Sequence, residues 1–206
     1  RWENELSYSS SKDKVYVMNN DGLSSLDFKN RKVSDMGLKS NGYKSPIGRV
    51  YPISVNWETE KISFLEERIV DTNLVVKVFG INENAIINEI SLPENTKLAR
   101  LNSSGSRLAY MSTNNVVSLI NTEDEKIIGE RFNIDKKFTR VVPIGDGSLL
   151  YAGAFNTPLL EFYDASTGGK VGKTINIRTG PRTYVHNLPK VEKYVVLSHM
   201  SSFMYL

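Results

Sequence analysis

Apolar residues along this chain fall into short runs separated by polar turns, and no stretch keeps a helical period for three turns. Five segments share a polar residue followed by an apolar run near an aromatic. They are KVYV at 14–17, KISFL at 61–65, RLAYM at 107–111, SLLYA at 148–152 and KYVVL at 193–197. Their starts lie 47, 46, 41 and 45 residues apart. After each comes a polar loop and a second run, at 22–28, 74–79, 116–120, 159–163 and 202–206. A tight polar turn then leads to a third, at 31–35, 85–90, 126–129 and 170–175. One further strand precedes each unit: RVYPI at 49–53 and RVVPI at 140–144 match at four of five positions. Val, Ile, Tyr and Phe dominate these runs, and such side chains suit a pleated, half-buried surface.

Four short strands recurring at this interval predict an all-β fold, a β-propeller of four-stranded blades. The blades fall at about 1–45, 46–94, 95–137, 138–179 and 180–206, forming a single propeller domain or part of one. About five are visible, the last incomplete because it stops in its third strand. A β-sandwich also has short, evenly spaced strands, but it does not require one four-strand order to recur. The first residue is Arg1 rather than Met, which reads as a processed chain or a piece of a longer one.

The hairpins LDFKNRKV at 26–33 and YDASTGGKV at 163–171 each carry an apolar strand, an Asp, a short turn and then Lys-Val. In this they resemble YVTN-type and quinoprotein-like (WD40-like) propellers, over most of the chain. The Gly-His and Trp-Asp signatures of WD40 repeats are absent, as is the Trp-rich docking motif of some quinoproteins. The resemblance implies a fold and not an activity.

Composition narrows the chemistry. With 40% apolar and 24% charged residues the chain reads as a soluble globular protein, and a net charge of +3 permits an acidic partner without suggesting a dedicated nucleic-acid binder. The absence of cysteine removes disulfides, thiolate metal sites and cysteine nucleophiles together. No run reaches the length of a membrane-spanning helix, so no membrane insertion is expected. The compartment is not fixed, with a periplasmic or extracellular one slightly favoured over the cytoplasm.

Gly172, Lys173 and Thr174 resemble the tail of a phosphate loop. The Gly that motif needs five positions earlier is Thr167, and the residues after it alternate as a strand does, so a hairpin turn is expected instead. Asp27, Asn121 and Asp164 precede equivalent tight turns and are expected to bond the turn's own backbone. His186 and His199 have no companions that would complete a metal site or triad, and the Asn102-Ser-Ser104 sequon falls in a turn. Trp2 and Trp57 read as ordinary packing under loops. No catalytic, cofactor-binding or metal-ligating residue is assigned, and no cofactor.

The remaining constellation is basic. Arg49, Lys97, Arg140 and Arg182 align at the start of the innermost strand of four repeats, where a propeller gathers its channel mouth. Lys136, Lys137 and Arg178 lie in the same class of loop, with Lys44 and Arg100 beside them. Such a ring would focus positive potential on a carboxylate, a phosphate or an acidic protein segment; as solvated strand ends the same residues would do no more than keep like mouths apart. The expected function is a non-catalytic scaffold that binds a protein, within a larger assembly in one version, or another anionic partner through its loops. The alternative is an extracytoplasmic quinoprotein-like enzyme subunit or cofactor-holding propeller.

Overall fold

The computed structural model describes residues 6–9, 13–19, 22–38, 53–67, 73–154, 159–176, 183–188, 193–198 and 204–205. Among them there is no helix, and within each sheet the strands pair antiparallel in chain order. The strands build four four-stranded sheets and one three-stranded sheet. The chain divides into two compact units, Arg1–Glu94 with Ser103–Gly105, and Asn95–Asn102 with Ser106–Leu206.

The first unit holds two sheets. One runs β1 (Leu6–Ser9), β2 (Lys14–Asn19), β3 (Gly22–Asp27), β4 (Lys32–Asp35); the other β5 (Ser54–Asn56), β6 (Lys61–Glu67), β7 (Leu74–Gly80), β8 (Ala85–Ser91). Tyr16, Met18 and Leu23 of the first sheet share a core with Val55, Ile62, Phe64 and Phe79 of the second. Trp57 packs on this core, its ring 5.5 Å from that of Tyr16, so it is a packing residue as its surroundings suggested. Trp2 lies outside the described residues.

The second unit holds β9 (Thr96–Leu101), β10 (Arg107–Ser112), β11 (Val116–Asn121), β12 (Ile127–Asn133), then β13 (Arg140–Ile144), β14 (Leu149–Gly153), β15 (Leu159–Asp164), β16 (Lys170–Asn176). The three-stranded sheet is β17 (Thr183–Leu188), β18 (Lys193–Ser198), β19 (Met204–Tyr205). Its main core joins Met111, Val117 and Leu119 to Phe138, Val141, Leu150 and Tyr163.

Three of the four-stranded sheets follow the same burial logic. In these the second and third strands carry most of the buried, apolar sequence, and in β7 every residue is buried; β3 differs, with only Gly22 and Leu23 buried. The fourth strand is mostly exposed in β8, β12 and β16. The repeated runs of the sequence are thus the second, third and fourth strands in order. The one displaced expectation is the strand at 49–53. Residues 49–52 lie outside the described residues, Ile53 is not in a strand, and the first strand of that sheet is β5.

The turn between third and fourth strands recurs with one geometry. An Asp, Asn or Gly opens it (Asp27, Gly80, Asn121, Asp164), and the fourth residue onward takes a positive φ: Arg31 at 52°, Asn84 at 51°, Glu125 at 60° and Gly168 at 68°. The opening side chains bond the turn as expected. Asp164 Oδ1 accepts the N–H groups of Ser166 and Thr167, each at 2.9 Å, while Asp27 takes Asn30 and Asn121 takes Glu123. The Ser166 hydroxyl, then the Thr167 N–H and hydroxyl, pull the Asp164 carboxyl down to about 2, and the Asn30 bonds lower that of Asp27 too. This is turn chemistry, and Gly168 belongs to it.

Candidate functional site

The basic residues that can be placed lie in the second unit. Lys97 is the second residue of β9 and exposed; Arg140 opens β13 and is half-buried; Lys136 and Lys137 sit exposed in the loop between β12 and β13. Arg49, Arg178, Arg182 and Lys44 lie outside the described residues. Backbone and side-chain links run from Lys97 to Lys137. Lys97 Nζ donates to Asn115 Oδ1, and the carbonyl of Asn115 accepts the N–H of Ile134 at 3.2 Å. Ile134 leads directly to Asp135, whose Oδ1 takes the Lys137 N–H at 2.9 Å and whose Oδ2 pairs with Lys137 Nζ at 3.1 Å. Those bonds lower the Asp135 carboxyl. Two residues beyond the buried Phe138, Arg140 pairs across the sheet with Gly153. Arg100 turns its guanidinium to the carbonyl of Ala99 at 2.9 Å.

The alignment of these cations is looser than their sequence suggests. Strands β13 and β14 close on Ile144 opposite Leu149, which puts Arg140 four residues from the turn. Asn102 and Arg107 close the β9–β10 turn, which puts Lys97 five residues from it. The ladder also slips beside Lys97, since Met111 pairs with Leu98 but Ser112 with Thr96. A one-residue shift along a strand reverses its faces, so the bulge sets the direction of Lys97. Lys97 and Lys137 each have their own partners, Asn115 for the first and Asp135 with Glu161 for the second.

Next to Lys137 lies a feature that the sequence did not reveal. Glu161, in the middle of β15, keeps only 9% of its side chain exposed. Its Oε2 accepts the Tyr163 hydroxyl at 2.7 Å; its Oε1 accepts Thr174 Oγ1 at 2.8 Å and pairs with Lys170 Nζ at 3.0 Å. Lys137 Nζ stands 3.8 Å away and ties this network to the loop before β13. Burial alone would raise the carboxyl, but the bonds from Tyr163, Thr174 and Lys170 outweigh it and hold Glu161 at about 2. Burial, and then the bond to Glu161, push the Tyr163 phenol well up. The Tyr163 ring stacks on Phe132 at 5.7 Å, which fixes the hydroxyl's direction.

The phosphate-loop look-alike is part of this network. Leu160 pairs with Ile175 and Phe162 with Val171, so Gly172, Lys173 and Thr174 bulge out opposite the single residue Glu161. Gly172, at φ 71°, permits the bulge, and the Thr174 hydroxyl is delivered to a carboxylate rather than a phosphate.

Two other sequence candidates are resolved. Asn102 is 1% exposed; its amide donates to the Gly145 carbonyl at 2.9 Å and to Ser106 Oγ at 3.3 Å, and its Oδ1 accepts the Arg107 N–H at 3.0 Å. A glycan has no access to that nitrogen in the folded chain. His186 lies in β17, and His199 lies outside the described residues. Among the described residues no three His, Asp or Glu side chains stand close enough to hold a metal. No helix among them is long and apolar enough to cross a membrane. No protein-family model matches this chain, and no curated protein matches it.

Proposed function

We propose that the chain is a β-propeller-type scaffold, of the YVTN or quinoprotein-like kind, that holds a protein or another anionic partner on a loop face. The propeller reading rests on repetition: successive meanders of four strands, each with an exposed fourth strand and a positive φ at the same place in the last turn. The binding reading rests on one observation. Lys97, Lys136, Lys137 and Arg140 stand at or just before the starts of β9 and β13, the end proposed as the binding face, with the carboxylates Asp135 and Glu161 against Lys137. Four cations against two anions leave that end positive, which raises the local concentration of acidic partners and steers their approach.

The face is assigned no bond-making step. Glu161 is held ionised by three donors, far from the poise a general acid needs near neutrality. The test is retention on immobilised polyglutamate across a salt gradient. Lys136→Glu combined with Arg140→Glu should elute at clearly lower salt than the parent chain, with an unchanged circular dichroism spectrum. Identical elution of the two would remove the basic face from the account.

A further inference from the structure

The turns between third and fourth strands provide an internal control on surface chemistry. The residue after the opening position is Ile81, Thr122 or Ala165 in three of them. Thr122 and Ala165 are 3% and 2% exposed, and Ile81 packs on the core of the first unit. In the β3–β4 turn the same position is Phe28, and it is 56% exposed. Val33, just past the turn, is 68% exposed, and every residue from 28 to 33 is exposed. The exposed apolar pair is interleaved with Lys29, Arg31 and Lys32, whereas the β11–β12 turn carries Glu123 and Glu125 where Lys29 and Arg31 stand, and matches only Lys32, with Lys126.

The tip is built to hold this display. Asp27 accepts the Asn30 N–H at 2.9 Å and its side-chain amide at 3.0 Å, Arg31 takes a φ of 52°, and the Phe28 N–H donates to the Asp13 carbonyl at 2.9 Å. Asp13, Asp27 and Asp35 are the carboxylates of this hairpin and its flank, against Lys14, Lys29, Arg31 and Lys32. Asp27 is already spent on the turn. The result is a preformed, convex, cationic tip with an apolar apex, so little ordering cost attaches to binding.

From this we infer that the β3–β4 hairpin tip, residues 28–33, docks peripherally on an anionic membrane surface. The Phe28 ring and Val33 enter the headgroup boundary while Lys29, Arg31 and Lys32 meet lipid phosphates and carboxylates. A projecting tip has no walls to enclose the side chains of an acidic peptide. Single-stranded nucleic acid binds on successive aromatic platforms, and this tip offers one ring. A flat, negatively charged surface requires neither. The site is separate from the basic end of the second unit, and its test is independent of that reading.

The experiment is cosedimentation of the full chain with vesicles of phosphatidylcholine alone or with one third phosphatidylserine. Binding is expected to the anionic vesicles only and to fade at high salt. Lys29→Gln, Arg31→Asn and Lys32→Gln together should lower the partition coefficient about a hundredfold, since each basic residue near such a surface contributes about one kcal/mol. Phe28→Ser should lower it about tenfold and leave the salt dependence unchanged. These residues are exposed, and Asn suits the positive φ at 31, so the variants are expected to fold. Equal binding to both vesicle types, full retention by the triple variant, or loss of only polyglutamate or oligonucleotide binding on the triple substitution would each overturn the membrane assignment.

Discussion

The same slot in two sheets holds opposite charges. Counting three residues back from the opening of the last turn gives Lys77 in β7 and Glu161 in β15, with exposures of 9% and 7%. Each is a charge inside an apolar strand. Lys77 Nζ meets Glu66 at 2.9 Å and Glu89 at 3.8 Å. Glu89 stands directly opposite Lys77 in the β8 ladder, so the fourth strand supplies its counter-charge from the paired position. Glu161 instead faces a fourth strand that bulges, and receives a lysine and two hydroxyls. Ser24 and the buried Ser118 fill this position in the other two sheets, so it is polar each time. The slot therefore demands a polar group. Its sign is set by what the neighbouring strands bring across.

Breaking the first arrangement should have the largest effect. Lys77→Met leaves Glu66, only 16% exposed, without its closest counter-charge and beside a second carboxylate. We expect a loss of about 3–5 kcal/mol in urea unfolding at neutral pH. Adding Glu66→Leu to that variant should recover much of it, because a neutral packed pair avoids the desolvation cost altogether.

The second arrangement should fail differently, with acid. The folded Glu161 carboxyl sits at about 2 against an ordinary 4.5, so the unfolded chain binds the proton more readily between those values. Its contribution is complete above pH 4.5 and is lost as pH falls toward 2. The shift corresponds to about 3 kcal/mol at neutral pH. Glu161→Gln should be less stable by about that amount at pH 7, with the two proteins converging near pH 2. A parallel offset at every pH would show that the carboxylate's charge is not what matters.

The difference between these two slots also marks where sequence stops being legible. Strand order was readable because a mostly buried third strand must be mostly apolar, and LVVKVFG and LLEFYD declare that in their composition. The turn roles of Asp27, Asn121 and Asp164 were readable because their partners lie within three residues. The Glu161 network was not, since its partners Lys170 and Thr174 reach it only through a bulge whose register no local pattern encodes. One signal was available: a carboxylate inside an apolar run requires a partner. Lys97 and Arg140 stand five and four residues from their turns, an offset that the aligned strand starts do not show.

The repeated turn allows a finer comparison, with the two smallest effects and opposite signs. Gly168 and Glu125 occupy one position, at φ 68° and 60°. A methyl group on Gly168 would run into the Phe132 ring that stacks on Tyr163, so Gly168→Ala should cost about 2 kcal/mol, the left-handed backbone alone accounting for about half. Glu125 already carries that backbone cost with a side chain, and its N–H donates to the Asn121 carbonyl at 2.9 Å, a bond that glycine keeps. Glu125→Gly therefore relieves about 1–2 kcal/mol of strain, offset by the larger entropy glycine gives the unfolded chain, about 0.4–1 kcal/mol. The net expectation is a gain of about 0.5 kcal/mol, read as a higher urea midpoint with an unchanged slope. A loss there would mean that the Glu125 side chain supports the turn and that the copies are held in different ways.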